Sequence, residues 1–173
     1  MDKPEVVVRI VSNAYDAEQV ESVFLRISKN GAVELEDENG EELKGPSAVR
    51  SLSKEWTITS KKPNARGRKS TRETTNIVLS MPDGTEPHLV KAAAKAFAKR
   101  QFSHNYRYVM ALHTDTDNPH VQLTVRNLGL DGRRMHVKKG DPQGWREAFA
   151  AELERYGVEA KATLKATRRR KDG

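Results

Sequence analysis

The sequence contains no cysteine, few aromatic residues and no long apolar run. Zero cysteines in 173 residues exclude a disulfide framework, a thiolate zinc site and a cysteine nucleophile. No apolar run approaches the length that crosses a membrane, and the first residues (M-D-K-P-E) do not resemble a signal peptide. The length suits one domain with its own core and is short for two. We therefore expect a soluble, intracellular protein.

Positive charge is in excess along the chain. The formal net charge is +7 and the pI is near 9.7, which favours an anionic partner, most often a nucleic acid. Residues 61–72 (K-K-P-N-A-R-G-R-K-S-T-R) contain six Lys or Arg and no acidic residue. This composition is typical of a disordered basic linker, and such a loop can also neutralise phosphates by releasing counterions. The candidate phosphate-contacting residues, from this loop and from residues 129–141, are Lys61, Lys62, Arg66, Arg68, Lys69, Arg72, Arg133, Arg134, Lys138 and Lys139.

Hydrophobic periodicity predicts the element order β, α, hairpin, α, β, α, β, β, α. The predicted elements of the first half are a buried central strand at 5–12, a helix from the N-cap Asp16 to Gly31, an acidic hairpin or loop at 33–43, and a helix at 46–56. Those of the second half are a strand at 74–81, a helix at 86–102, a strand pair within 105–128, a short basic strand between turns within 129–141, and a helix at 142–156. The carboxylates of the acidic segment are expected on a solvated face. The order predicts an α+β domain over residues 1–160, with helices flanking a mainly antiparallel sheet. Residues 161–173 are expected to form a mobile basic tail.

The strand pair carries the candidate chemistry. Side chains alternate faces along a strand, so His120 and Gln122 point away from the apolar set that would face the core. An antiparallel neighbour ending in His113 would place His113, His120 and Gln122 on one patch, with Asp115 close by. Imidazole nitrogen and amide oxygen suit divalent metals. Two histidines at this spacing are also often ordinary surface or hydrogen-bonded residues. The residues alone leave both interpretations open, a metal site and a pair of ordinary histidines.

The segment H-T-D-T-D-N-P-H-V-Q-L-T-V resembles the histidine motif of conjugative relaxases. That motif, H-x-D-x-x-x-P-H-x-H before an apolar strand, belongs to the HUH endonucleases, in the mobilisation class that includes the T-DNA border endonuclease. His113, Asp115, Pro119 and His120 match it, whereas Gln122 replaces the last histidine. Some replication initiators of the superfamily carry H-U-Q and keep a metal site. The resemblance implies an HUH-type sheet with the histidines on a central strand, a bound divalent metal (Mg²⁺ or Mn²⁺ rather than Zn²⁺), and action on DNA in the bacterial cytoplasm.

The resemblance extends over most of residues 5–160 and contains a second departure. R-I-S-K-N-G at residues 26–31 is similar to the relaxase segment Y-(L/I)-S-R-x-G that carries the nucleophile, so Arg26 stands where the tyrosine is expected. A relaxase tyrosine attacks a phosphodiester and becomes covalently linked to it. Arginine cannot form that ester, but it can hold a phosphate through two parallel hydrogen bonds. Arg26 could equally be an ordinary exposed charge at a helix end.

Other tyrosines are weak substitutes for the missing nucleophile. Tyr15 precedes the first helix and is the one alternative that a loop could bring to the site. Tyr106 and Tyr108 have the strand parity of Met110, opposite to His113, which favours core packing. Tyr156 is expected on the apolar stripe of the last helix.

Three functions remain open from the sequence. The first is a relaxase-like domain that binds single-stranded or hairpin DNA at an origin of transfer, together with other relaxosome proteins, with covalent nicking impaired or lost. The second is an active metal-dependent relaxase or nickase that uses Tyr15 or an activated water. The third is a non-enzymatic domain that binds a protein partner through its polar face.

Overall fold

The computed structural model describes residues 3–59, 71–82 and 84–164. Its strands are β1 (Val7–Ala14), β2 (Leu35–Asp37), β3 (Glu42–Leu43), β4 (Thr74–Ser80), β5 (Tyr108–His113) and β6 (His120–Arg126), and its helices are α1 (Ala17–Ile27), α2 (Pro46–Thr57), α3 (Pro87–Gln101) and α4 (Asp141–Arg155). The six strands form one sheet in the order β1-β4-β6-β5-β2-β3, and all neighbours are antiparallel. The α+β prediction is confirmed. Within the described ranges, no helix is long and apolar enough to cross a membrane.

Helix α1 follows directly from its sequence. The Asp16 side chain accepts a hydrogen bond from the backbone N–H of Gln19, which satisfies one of the free donors at the helix start. Phe24 and Ile27 lie on its buried face. The Phe24 ring meets Trp56 of α2 edge to face, with centroids 4.8 Å apart, a favourable geometry for aromatic rings. The two helices therefore form one layer.

The sheet separates two hydrophobic cores. Strand β5 shows the division, because Met110 packs towards α3 and α4 while Val109 and Ala111 pack towards α1 and α2. Phe97 of α3 meets Phe149 of α4 in the first core, with centroids 6.3 Å apart. The histidines follow the parity of Val109 and Ala111, so they belong to the face that α1 and α2 partly cover.

Strand β1 is at the edge of the sheet, so the prediction of a buried central strand was wrong. Its β-branched residues suit a pleated strand at any position in a sheet. Here they alternate: Val8 is buried, whereas Val7 and Val11 are each about 40% exposed (40% and 41%). The register also shifts between Ile10 and Ser12, a β-bulge of the kind common at sheet edges.

Two further expectations need correction. Residues 129–141 contain one isolated bridge, Leu128 to Arg134, in place of the predicted short strand. The acidic segment does form the predicted hairpin, β2 and β3, but its carboxylates are not all solvated. Glu36 is 5% exposed and pairs with Lys95 of α3 at 2.8 Å, because β2 lies inside the sheet beside β5.

The first residues of the expected tail contact the domain. Glu5 and Lys161 form a parallel bridge, and the backbone N–H of Val6 donates to the Lys161 carbonyl at 3.0 Å. The guanidinium of Arg146, a buried residue of α4, donates to the carbonyl of Thr163 at 2.7 Å and to a Glu5 carboxylate oxygen at 2.6 Å. Residues 161–164 therefore lie along the start of the sheet edge, and residues 165–173 fall outside the described part.

The turn after α1 has an unusual backbone. Lys29, Asn30 and Gly31 have consecutive positive φ angles of 50°, 59° and 88°. A Cβ on Gly31 would lie 2.3 Å from the Pro46 nitrogen and 2.4 Å from the Gly45 carbonyl carbon. Only glycine fits there, because both the φ angle and the close backbone approach exclude a side chain.

We expect Gly31→Ala to lower the free energy of unfolding by about 2–4 kcal/mol, through left-handed strain plus backbone collision. Gly40→Ala is the matched control, because Gly40 has a similar φ of 79° with nothing near its Cβ position; its loss should be about 1 kcal/mol, from strain alone. Urea unfolding followed by circular dichroism measures both. Equal losses would show that the contact with Pro46 contributes nothing.

Candidate metal centre

The pairing of β5 with β6 builds the centre. His113 and His120 are direct cross-strand partners, and their rings lie 5.2 Å apart at 82°. Gln122 is two residues further along β6 on the same face, about 7 Å from His120 between Cα atoms. The expected juxtaposition of His113, His120 and Gln122 on one face is therefore present.

Backbone carbonyls orient both imidazoles. His113 Nε2 lies 2.7 Å from the Ile27 carbonyl at the end of α1, and His120 Nδ1 lies 3.1 Å from the Asn118 carbonyl. Since a carbonyl only accepts, the facing nitrogen of each ring carries the proton. His113 Nδ1 and His120 Nε2 are then the lone-pair nitrogens. A hydrogen bond from the ring nitrogen that does not ligate the metal is typical of metal-binding histidines.

Burial lowers the pKa of His113, and the nearby His120 and Lys29 lower it further, against the opposing effects of the Ile27 hydrogen bond and Asp115. The lowered pKa favours the neutral imidazole near pH 7. A neutral imidazole is the form that ligates a metal.

Asp115 completes a set of three possible ligands. Ligand atoms of His113, Asp115 and His120 all lie within 4.8 Å of one another. The Asp115 carboxylate is exposed and forms an ion pair with Lys29 Nζ at 2.7 Å, which holds the pKa of Asp115 below its usual range. Two imidazole nitrogens, one carboxylate and the nearby Gln122 amide form a mixed N/O donor set of the kind that binds divalent metals.

An open cleft of about 460 Å³ adjoins His120. Arg26 reaches it from the last turn of α1, beside His120 and Gln122. The remainder of its lining comes from β1 and β4, with Val7, Arg9, Val11, Ser12, Val78 and Ser80. The structure thus brings Arg26 to the histidine face. Sequence reasoning missed Arg9 and Ser80, which strand parity with Val7 and with Val78 could have identified.

The structure does not bring Tyr15 to this centre. Strand register aligns His120 with Ser80 and Val7 at one end of the sheet, and Arg126 with Thr74 and Ala14 at the other. Tyr15 follows Ala14, so it begins about 20 Å from the histidines along the strands. Its backbone N–H donates to Gln19 at the start of α1.

The other tyrosines are also away from the centre. Tyr108 is buried in the core behind the sheet, as predicted, and burial raises its pKa to about 12. Tyr106 packs against the same core. Tyr156 is 44% exposed, so its assignment to the apolar stripe of α4 was wrong; it follows the end of that helix at Arg155.

Arg72 and Arg134 lie at the opposite end of the sheet from the histidines. Arg72 shortly precedes β4, and Arg134 donates to the Arg72 carbonyl at 2.8 Å and lies 3.7 Å from Glu73. Arg133, Lys138 and Lys139 are exposed in the segment between β6 and α4. Lys61, Lys62, Arg66, Arg68 and Lys69 lie outside the described residues. Arg126, missed from the sequence, shares the face of His120, and burial lowers its pKa.

A larger cleft of about 840 Å³ opens on the other side of the sheet. Glu36, Lys95 and Tyr108 are among its lining residues, and no histidine is. Its size exceeds that of the histidine cleft, but its side chains offer no comparable metal-ligating set. The smaller cleft is therefore the candidate functional site.

Comparison with known proteins agrees with the geometry. Residues 27–158 match the family model described as "Relaxase: MobA/VirD2-like, nuclease domain". The matched range contains all three potential ligands and begins one residue after Arg26. The structure titled "Molecular Basis of Vancomycin Resistance Transfer in Staphylococcus aureus" is similar in fold, with a TM-score of 0.53, 14% identity, and coverage of 94% of this chain and 100% of that one.

Curated relatives give the same assignment. The chain is 26% identical to the T-DNA border endonuclease VirD2 of Rhizobium radiobacter, over 96% of this chain and 43% of the relative. It is 25% identical to the VirD2 protein of Agrobacterium fabrum (strain C58 / ATCC 33970), over 99% and 41% of the respective chains. The chain thus spans about two fifths of the length of these relatives. With the family model matching well over half of its residues, the chain belongs to the relaxases with a MobA/VirD2-like nuclease domain.

Proposed function

We propose that this domain binds single-stranded DNA at an origin-of-transfer-like site of a mobile element, with tyrosine-mediated nicking impaired or lost. The observation that carries the proposal is Arg26, which lines the histidine cleft at the position where the relaxase motif has its nucleophile. Among the described residues, no tyrosine lines that cleft. The expected setting is the bacterial cytoplasm, with other relaxosome proteins as partners.

Arg26 supports binding without covalent chemistry. A guanidinium group supplies no hydroxyl that could attack a phosphodiester. It presents parallel N–H donors that match two oxygens of a phosphate. Arg9 lines the same cleft from β1 and adds a second positive charge. A phosphodiester would therefore be held where a relaxase tyrosine would attack it.

The donor set supports a divalent metal at this centre. His113, Asp115 and His120 would hold the ion, and Gln122 would replace the third histidine of the motif. A bound metal would polarise the phosphate and offset charge developing on it. The hydrogen bond from His113 to the Ile27 carbonyl would keep the imidazole oriented and its ligating nitrogen free of the proton.

The cleft floor suits an unpaired strand. Val7 and Val11 present exposed apolar surface beside Arg9 and Arg26. Proteins that bind single-stranded nucleic acids combine apolar or stacking contacts to the bases with contacts from basic side chains to the phosphate backbone. Arg72 and Arg134, about 20 Å along the strands, would meet phosphates further from the centre.

A second candidate function is metal-dependent nicking by an activated water. The three-ligand set His113, Asp115 and His120 favours it, because such a centre can lower the pKa of a bound water. Cleavage without a protein–DNA adduct would be its signature. The position of Tyr15 at the other end of the sheet argues against that residue as nucleophile in either function.

The covalent step can be tested with Arg26→Tyr. We expect the unsubstituted chain to form no covalent adduct with labelled single-stranded oligonucleotides that tile the origin region. Arg26→Tyr should form one in Mn²⁺ and none in EDTA, because the tyrosine restores the missing nucleophile. Denaturing gels separate adduct, nicked product and free oligonucleotide. Arg26→Phe is the control, since it adds a ring without the hydroxyl.

An adduct formed by the unsubstituted chain would contradict the loss of the covalent step. Peptide mapping would then identify its tyrosine. Nicked product without adduct would instead establish the water-dependent alternative.

Phosphate contacts should appear in the salt dependence of DNA affinity. Replacing Arg26 or Arg9 with Gln is expected to reduce the magnitude of the log Kd against log salt slope by about 0.7 each, the value for one phosphate on a single strand. Lys3→Gln is the control, because Lys3 pairs with Glu154 of α4 and does not line the cleft. Fluorescence anisotropy from 50 to 300 mM salt measures the slopes. An affinity for DNA that is independent of salt would refute phosphate recognition.

Metal binding should depend on the two histidines. His120→Ala is expected to weaken Mn²⁺ affinity about tenfold or more, through loss of a ligand. His88→Ala is the control, because His88 is exposed on α3, on the opposite face of the sheet. For the unsubstituted chain, affinity should fall as pH is lowered, since protons compete for the ligating nitrogens. Isothermal titration calorimetry measures these affinities; equal values for all three proteins would place the metal elsewhere.

A further inference from the structure

Lys29 occupies a position in the chain that usually belongs to glycine. The N–H of Asn30 donates to the Leu25 carbonyl at 2.7 Å and that of Lys29 to the Arg26 carbonyl at 3.1 Å, the two hydrogen bonds of a Schellman motif at the end of α1. Lys29 is the left-handed residue of that motif, with φ of 50°. Glycine adopts this conformation without strain, whereas a lysine does not.

The Lys29 side chain is directed to the candidate metal centre. Its Nζ lies 2.7 Å from Asp115 Oδ2. A left-handed backbone that costs conformational energy is a reason to look for a function of its side chain. The ion pair with Asp115 is the contact that this turn makes possible.

The ammonium group and a metal would share one carboxylate. Asp115 has a ligand atom within 4.8 Å of those of both His113 and His120, and Lys29 already neutralises that carboxylate. The Lys29 charge also reaches His113, whose pKa it lowers after burial and His120. A divalent ion at the three ligands would therefore meet a fixed positive charge.

We propose that Lys29 is a resident cation of this centre, which weakens divalent metal binding and supplies positive charge for a DNA phosphate without a metal. With Arg26 and Arg9 lining the adjoining cleft, the centre is positively charged before any ion binds. DNA binding by the unsubstituted chain is then independent of divalent metal. This inference rests on the proposed function, because it assigns the charge of the same centre to phosphate binding.

The competing explanation is an ordinary surface ion pair. The side chains of Lys29 and Asp115 are 40% and 57% exposed, and pairs of that exposure usually contribute little to stability. An ordinary pair would leave metal affinity unchanged when the lysine is removed.

The test compares Mn²⁺ affinity of the full chain by isothermal titration calorimetry, without DNA. Lys29→Gly removes both the charge and the backbone strain, and Lys29→Met removes the charge while keeping most of the side-chain length. We expect each to bind Mn²⁺ about tenfold more tightly than the unsubstituted chain, because a repelling unit charge at a few ångströms is removed. Thermal melts should show Lys29→Gly at least as stable as the unsubstituted chain, so that folding does not obscure the comparison.

Two controls isolate the charge at this position. Lys29→Arg keeps the charge and should bind Mn²⁺ like the unsubstituted chain. Lys3→Met removes the same charge from an ion pair of equal length, 2.7 Å to Glu154, and should also leave Mn²⁺ affinity unchanged. If Lys3→Met raised Mn²⁺ affinity as much as Lys29→Met does, the effect would come from the net charge of the protein, and the proposal would be overturned.

Anisotropy with single-stranded DNA in EDTA and in Mn²⁺ completes the test. We expect metal-independent affinity for the unsubstituted chain and metal-dependent affinity for Lys29→Met. The proposal that Lys29 is a resident cation is overturned if Lys29→Met and Lys29→Gly bind Mn²⁺ no more tightly than the unsubstituted chain. It is also overturned if none of the proteins binds Mn²⁺. The calorimetry decides this without DNA, whereas failure of the unsubstituted chain to bind DNA at any salt concentration refutes the proposed function.

Discussion

The centre depends on the antiparallel register of β5 with β6. That register places His113 opposite His120 and continues through Leu112 with Val121 to Tyr108 with Val125. A shift of one residue would turn the histidines into the core and Val121 towards the cleft, because strand side chains alternate between faces. Val121 and Leu123 are almost fully buried, so the apolar core fixes the register that the histidines need. The chemistry of one face is thus held in place by the packing of the other.

The end of α1 supplies most of what surrounds the histidines. Its carbonyl at Ile27 orients His113, its last turn presents Arg26, and the turn that follows directs Lys29 to Asp115. The direction of the helix is fixed by packing of Phe24 on Trp56, and its final turn by the contact of Gly31 with the α2 start at Pro46. The backbone geometry at the end of α1 therefore also determines where the charges of Arg26 and Lys29 lie.

Arg26 is the departure from the relaxase motif that changes the charge of this centre. The relaxase family model covers residues 27–158, so the motif ligands lie inside the match and the arginine at the nucleophile position lies just outside it. A tyrosine at that position would be neutral and able to form an ester, whereas Arg26 adds a permanent positive charge. Lys29 lies at the position of the arginine in the motif Y-(L/I)-S-R-x-G, so its positive charge beside the ligands is one that the motif also has. The replacement of the reactive hydroxyl by a fixed cation is the feature on which the proposed loss of covalent nicking rests.

Local sequence determined most of the elements, the antiparallel α+β class, and the face shared by His113, His120 and Gln122, because hydrophobic period and strand parity are properties of neighbouring residues. The departures at Arg26 and Gln122 were also visible from the motif alone. Sequence could not place β1 at the sheet edge, since β-branched residues suit edge and central strands alike. Nor could it separate Tyr15 and Arg134 from the histidines by the length of a strand, or join Lys29 to Asp115 across 86 residues (115 − 29). Those relations depend on strand order and on the path of α1 across the sheet, which only the tertiary structure decided.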